Sequence, residues 1–239
     1  MEKKLIKLDN KINISSKKQW KFDSSVVSTF DSHINKSVPN YADSHNLILS
    51  LAKDLLSEKS KVLDIGCSTG TLLYKLYKEI NFDLDLVGID ISKDMINFAK
   101  KNIKHTKIKF FNCGLSKFKQ SKFDFIISFY TLQFMHSTEK KEFLVDSYKK
   151  LNSGGHMIVF DKVTEETGWE QKIFHSAYDD FKRHNEFSNE EIYNKTEKLR
   201  GVLHPNSRKE NYKIFKEINF KSIFLLSKNL FFEGYLLKK

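Results

Sequence analysis

The chain has 239 residues, 40% of them apolar and 30% charged, which is ordinary globular composition in the size range that α/β folds occupy as one domain. No uninterrupted run approaches the ~18 apolar residues of a membrane span, and two cysteines, Cys67 and Cys113, exclude a disulfide framework and a thiolate zinc site. The formal charge of +11 admits a polyanionic partner such as RNA, yet only Arg183, Arg200 and Arg208 are arginine while lysine supplies the other 38 of 41 basic residues, a bias closer to lysine-rich coding than to a phosphate-gripping surface.

The first ten residues, MEKKLIKLDN, alternate charge with isolated leucine and isoleucine. They lack the apolar stretch and cleavage site of a secretory signal, so the expected location is cytoplasmic. Residues 11–60 read as helical cap elements. From Lys61 a short apolar run, a turn and an amphipathic segment recur, the pattern of a mostly parallel sheet with crossover helices. Strands are expected at 61–65, 84–90, 107–112, 123–130 and 156–162, with helices at 71–80, 92–103 and 139–151 between them. The run Asn152-Ser153-Gly154-Gly155 reads as a helix stop before the fifth strand. Residues 163–207 interrupt the alternation with a polar, aromatic-rich helical stretch, and 221–229 and 230–239 read as a closing hairpin. Cap and insertion both belong over the carboxyl ends of the strands, where open α/β sheets bind ligands, and are expected to form a lid. The whole, 1–239, reads as a single domain.

The stretch VLDIGCSTG, Val62 to Gly70, ends a strand and begins a helix through a glycine-rich turn. Such a turn brings backbone close to a ligand at a helix N-terminus. Its spacing is G-x-S-x-G, with Ser68 where a middle glycine is usual. The second strand ends in Asp90, about twenty residues beyond the loop, where a carboxylate can accept both hydroxyls of a ribose. A dinucleotide stays open on these features alone, although the final glycine of G-x-G-x-x-G is missing.

With an acidic residue, Asp64, two positions before the first glycine, the segment resembles the first motif of class I S-adenosylmethionine-dependent methyltransferases. The resemblance covers about 60–239. It implies a Rossmann-like, seven-stranded, mostly parallel sheet with a terminal antiparallel hairpin. Three further stretches, WKFDSSVVSTFDSHINKSVPNY (20–41), FYTLQFMHSTEKKEFL (129–144) and DDFKRHNEFSNEEI (179–192), look like the carboxy-S-adenosylmethionine synthase family of tRNA wobble-uridine modification. That family also carries Gly-Cys-Ser in the loop. The likeness implies S-adenosylmethionine as cofactor, a homodimer, no metal, and cofactor contacts at Tyr41, Gly66, Cys67, Ser68, Gly70, Asp90, Ile91, Gly114, Leu115 and Phe129. Asp90 would hold the ribose and Ile91 would pack on the adenine.

Three departures stand out against the family pattern. Asn112-Cys113-Gly114-Leu115 replaces acidic-Gly-Asp-Ile, so backbone atoms or Asn112 must take over the adenine amino group. Phe129 replaces an asparagine at the end of the fourth strand. Thr196 stands where the family has the lid arginine that pairs with the carboxylate of carboxy-S-adenosylmethionine, a bidentate match that threonine cannot give. Arg200, four residues on, shares a helix face with Thr196 if the segment is helical, and Arg183 lies in the DFKR run. Methyl transfer to an oxygen or nitrogen of a small-molecule acceptor is therefore the expected activity. Tyr130, His175, Tyr178, Asp179 and His184 are candidate bases or acceptor-positioning groups. A carboxy-S-adenosylmethionine synthase using prephenate is the alternative, and a non-catalytic cofactor- or RNA-binding protein is the other.

Overall fold

The structure is a computed structural model that describes residues 24–239. The expected cap elements at 11–23 and the first ten residues lie outside it. Three helices precede the sheet: α1 (Ser24–Val27), α2 (Phe30–Ser37) and α3 (Tyr41–Leu55). The alternation then follows as β1 (Lys61–Ile65), α4 (Thr71–Glu79), β2 (Asp85–Asp90), α5 (Lys93–Asn102), β3 (Lys109–Asn112), β4 (Phe123–Phe129), α6 (Ser137–Lys150) and β5 (Leu151–Lys162). The insertion is two helices, α7 (Gly168–His184) and α8 (Asn189–Leu199), after which α9 (Arg208–Glu217), β6 (Ser222–Asn229) and β7 (Phe232–Lys238) close the chain. Among the described residues no helix is long and apolar enough to cross a membrane.

The seven strands lie in the order β3-β2-β1-β4-β5-β7-β6. β1 through β5 run parallel, and β7 pairs antiparallel with both β5 and β6. Successive side chains feed opposite layers, as the period of two requires. Val62, Phe125, Ile127, Ile158 and Phe160 pack with α3, α4 and the insertion, while Leu63, Ile126, Met157 and Val159 pack with α6 and α9. Both faces are covered, which is why the central strands are apolar on both sides.

One expected element differs. α6 stops at Lys150, but Asn152-Ser153-Gly154-Gly155 is not a loop before the strand; it lies within β5. Leu151 already pairs with Phe123, the register is next met at Phe125–His156, and the extra residues form a bulge. Asp124 anchors it, accepting from Asn152 Nδ2 at 2.6 Å and from Lys61 N–H at 2.8 Å. Gly154, at φ 76°, is the residue that lets the bulge turn.

The cap and the insertion are tied to each other along α2, by the ion pair Lys36–Glu186 at 2.8 Å and by contacts at Ser37 and His33. Tyr178 on α7, buried, donates its hydroxyl proton to Ser37 O at 2.7 Å, and Lys195 on α8 donates to Ser37 Oγ at 3.0 Å. Lys195 also meets His33 on α2, whose imidazole is held neutral, down at about 3, by burial first and by Lys195 second. Tyr178→Phe removes one bond and leaves a buried carbonyl unpaired, so it should lower stability by about 1 kcal/mol. Chemical denaturation measures that loss, and limited proteolysis should show faster cutting within 163–207.

Candidate cofactor and acceptor site

The turn after β1 has left-handed backbone at three alternate positions: Gly66 (φ 77°), Ser68 (φ 50°) and Gly70 (φ 79°). The family-type glycine pattern thus reflects a repeated backbone demand, and Ser68 meets it against its preference. A Cβ on Gly66 would fall 2.3 Å from Thr131 Oγ1, which donates to Ile65 O at 3.0 Å. Gly66 and Cys67 N–H both donate to Ile89 O, at 2.8 and 3.1 Å, curling the loop over β2. The Cys67 side chain is core, its thiol pushed well up by burial and by Asp64 and Asp90. The loop is also tied to the cap: Thr69 and Thr71 hydroxyls each donate at 2.9 Å to Asp31 on α2.

Asp90, at the end of β2, accepts Ser68 N–H at 2.9 Å on one oxygen and Ser92 N–H at 2.8 Å on the other. Each oxygen keeps a second lone pair for a diol. Burial raises Asp90 against the lowering effect of those two bonds. Next to it Ile91 is 83% exposed, a large aliphatic held in the open with its Cγ2 3.6 Å from where a Gly114 Cβ would lie. Together they leave an open apolar surface beside Asp90. Leu115 turns its side chain into the core. Asn112 Nδ2 donates to Asp90 O and Ile91 O, both at 2.9 Å, so it braces the turn after β2.

Beneath the loop, Asp64 is a fully enclosed carboxylate whose Oδ1 has no partner among the described residues. Burial, then repulsion from Asp90, pushes it up to about 8. A buried carboxyl of that kind favours an arriving cation. The diol acceptor, the open apolar surface and this acid together fit S-adenosylmethionine, which carries a ribose, an adenine and positive charge. Asp64, Thr131 and Asp31 were not named from sequence as site residues; only the acidic residue before the first glycine hinted at Asp64.

The other half of the edge is aromatic. Tyr41 stacks on Tyr130 at 6.0 Å and meets Phe129 at 5.0 Å; Phe129 in turn packs on His45 and Phe160. Tyr130 is buried in left-handed backbone (φ 56°). Burial raises both phenols, so they stay protonated. Tyr178 gives its proton to Ser37 and acts as the strut described above, a positioning role in place of that of a base. Asp179 pairs with Lys182 at 3.2 Å. His175 is exposed, bonded to Gln171 at 2.9 Å, its ring 4.8 Å from Phe231. His184 is engaged with Asp180 O, and Arg183 pairs with Asp180 at 2.6 Å and with Asn189.

The two lid positions Thr196 and Arg200 are engaged within the lid itself. Thr196 donates its hydroxyl back to Ile192 O at 2.8 Å within α8. Arg200 is the residue past the helix end, so the shared helix face is not formed; its side chain is 73% exposed and paired with Glu197 at 2.6 Å.

A doubly wound sheet with an antiparallel last strand, a glycine turn after β1 and a carboxylate closing β2 are the features of the class of S-adenosylmethionine-dependent methyltransferases. A family model described as "Methyltransferase domain" matches residues 56–219. The carboxy-S-adenosyl-L-methionine synthase of Nautilia profundicola is 35% identical over 217 residues, covering 90% of this chain and 92% of that protein. The Campylobacter jejuni protein of the same name is 36% identical, covering 93% and 95%. Of solved structures, magnesium protoporphyrin IX methyltransferase of Synechocystis with bound SAH superposes with a TM-score of 0.60 at 14% identity, covering 91% and 94%. Human N-acetylserotonin methyltransferase in complex with SAM gives 0.60 at 14%, covering 90% and 55%. By sequence over nearly its whole length, the chain belongs to the carboxy-S-adenosyl-L-methionine synthase family of methyltransferase-domain proteins.

Two outcomes follow from this geometry. Ser68→Gly relieves the left-handed serine at the cost of a more flexible unfolded chain, and should raise stability by about 0.5–1 kcal/mol in denaturant titration. Asp64 holds its proton up to about pH 8, and a cation beside it lowers that value. Binding of S-adenosylmethionine between pH 6 and 7.5 should therefore release a proton and tighten as pH rises. Calorimetry in buffers of different ionisation enthalpy measures the release, which Asp64→Asn should abolish.

Proposed function

We propose that the protein is an S-adenosylmethionine-dependent methyltransferase acting on an oxygen or nitrogen of a compact small-molecule acceptor. The observation that carries this reading is the lid: Thr196 is bonded to its own helix, Arg200 turns to solvent paired with Glu197, and Arg183 is paired with Asp180, so each lid guanidinium is already matched by a carboxylate of the lid. When bound, the cofactor supplies an electrophilic methyl group on a sulfonium. The chain's part is binding and orientation. The turn at 66–70 and Asp90 fix the nucleoside, Asp64 offers negative charge, and the rings of Tyr41, Phe129 and Tyr130 exclude water and confine the acceptor. The cage presents protonated phenols, which suits an acceptor that is already nucleophilic or that loses its proton after attack.

A second reading, a carboxy-S-adenosylmethionine synthase that draws on prephenate, is supported by the relatives' names and by the cation Lys162 beside the cage. A homodimer is part of either reading. An RNA partner has only the overall charge in its favour.

Mass spectrometry of the nucleoside that co-purifies with the protein separates the two. S-adenosylmethionine or its demethylated product, with methyl transfer to an offered amine or phenol, is expected. Bound carboxy-S-adenosylmethionine, or its formation when prephenate is added, would overturn the methyl-transfer reading in favour of the second.

A further inference from the structure

β5 ends in Lys162, and strand alternation turns it to the side of Ile158 and Phe160, the layer shared with the aromatic cage. Its Nζ lies 5.2, 5.6 and 5.9 Å from the ring centroids of Tyr178, Phe231 and Phe232. A second ammonium, Lys182, sits 4.0 Å from the centroid of the same Tyr178 ring. Against these two cations stands one carboxylate, Asp179, and it is paired with Lys182 at 3.2 Å. Among the described residues no hydrogen bond or ion pair reaches Lys162 Nζ.

This cation is in surplus. Burial, and then Lys182, lowers Lys162 to about 8. His175 adds no anion; burial and Lys162 lower it too. Ring faces recover part of the desolvation cost of an ammonium, but a half-buried cation with no acceptor is stabilised most by an anion that meets it. The position matters as well. Lys162 is at the carboxyl end of a parallel strand, on the ligand edge of the sheet, and Phe232 joins it to Tyr130 at 5.7 Å.

We propose that Lys162, with Lys182 behind it, seats a carboxylate of the ligand that reacts at this site. One surplus charge among rings suits a monoanion on a compact organic molecule, whereas a phosphate dianion calls for more donors. The proposal rests on the reading of the site as one for S-adenosylmethionine. The carboxylate has two sources: the acceptor's own acid group, or a carboxylate borne on the cofactor's transferable carbon.

Isothermal titration of the wild type, Lys162→Met and Lys162→Arg tests both. In one arm the titrants are S-adenosylmethionine and carboxy-S-adenosylmethionine. In the other, aromatic and aliphatic carboxylic acids are titrated, each beside its neutral amide, onto protein loaded with S-adenosylhomocysteine. In one arm the acid form should bind about tenfold or more tightly than its uncharged counterpart, a preference that Lys162→Met erases and Lys162→Arg keeps. The arm in which it occurs names the source. If neither arm shows a preference, or if the preference survives in Lys162→Met, Lys162 is a packing lysine and the subsite is overturned. Failure of the wild type to bind S-adenosylmethionine is read in the same titration and overturns the functional reading beneath it.

Discussion

The contact between Gly66 and Thr131 organises the ligand edge of this molecule. β1 and β4 are neighbours whose outgoing chains part to opposite directions of the sheet, and the crevice between them exists only if both turns fit the same small volume. Thr131 fills the space a side chain on residue 66 would need, and its hydroxyl bonds to the last carbonyl of β1. That close approach keeps residue 66 a glycine, in a turn that is left-handed at 66, 68 and 70. Tyr130, the residue before Thr131, is left-handed as well, and its ring stacks on Tyr41. Strain at such positions persists because the surrounding packing over-determines it.

Charge along the edge is sorted by strand. The acids Asp64 and Asp90 stand at β1 and β2, where the nucleoside half of the ligand belongs, and the ammonium groups of Lys162 and Lys182 stand two strands away beyond the aromatic cage. Neither group is matched by its own surroundings: Asp64 is pushed up and Lys162 is pulled down. A ligand with a cationic end near β1 and an anionic end near β5 relieves both. The rings between them keep water from screening the two ends from each other.

Much of this architecture is legible in the sequence because parallel strands buried on both faces announce themselves as apolar runs, and 61–65 is read to the residue. The turn at 66–70 and Asp90 are legible for a similar reason, since backbone geometry restricts residue type. The bulge at 152–155 is not. Glycines after a helix signal a stop whether the chain then enters a loop or a bulged strand, and the difference lies in Asp124, 28 residues away from Asn152. Side-chain commitments are equally silent in sequence. Nothing local tells that Tyr178 reaches Ser37, 141 residues distant, or that Arg200 falls just past a helix end. Lys162 is not legible either, because a lysine closing an apolar strand looks like a solvated terminus.

The last three residues of β5 carry a further meaning. Phe160 packs with the cage, Asp161 turns the other way to lie 3.7 Å from the buried Lys140 of α6, and Lys162 returns to the cage side. Burial raises Asp161 and lowers Lys140, so each depends on the other for its charge. A slip of β5 by one residue would bring an anion under the rings and set a lysine against a lysine across the opposite layer. The strand is therefore keyed by the sign of its charges as well as by its apolar stripe, and the lock that aligns the sheet is the same one that aims an ammonium at the ligand.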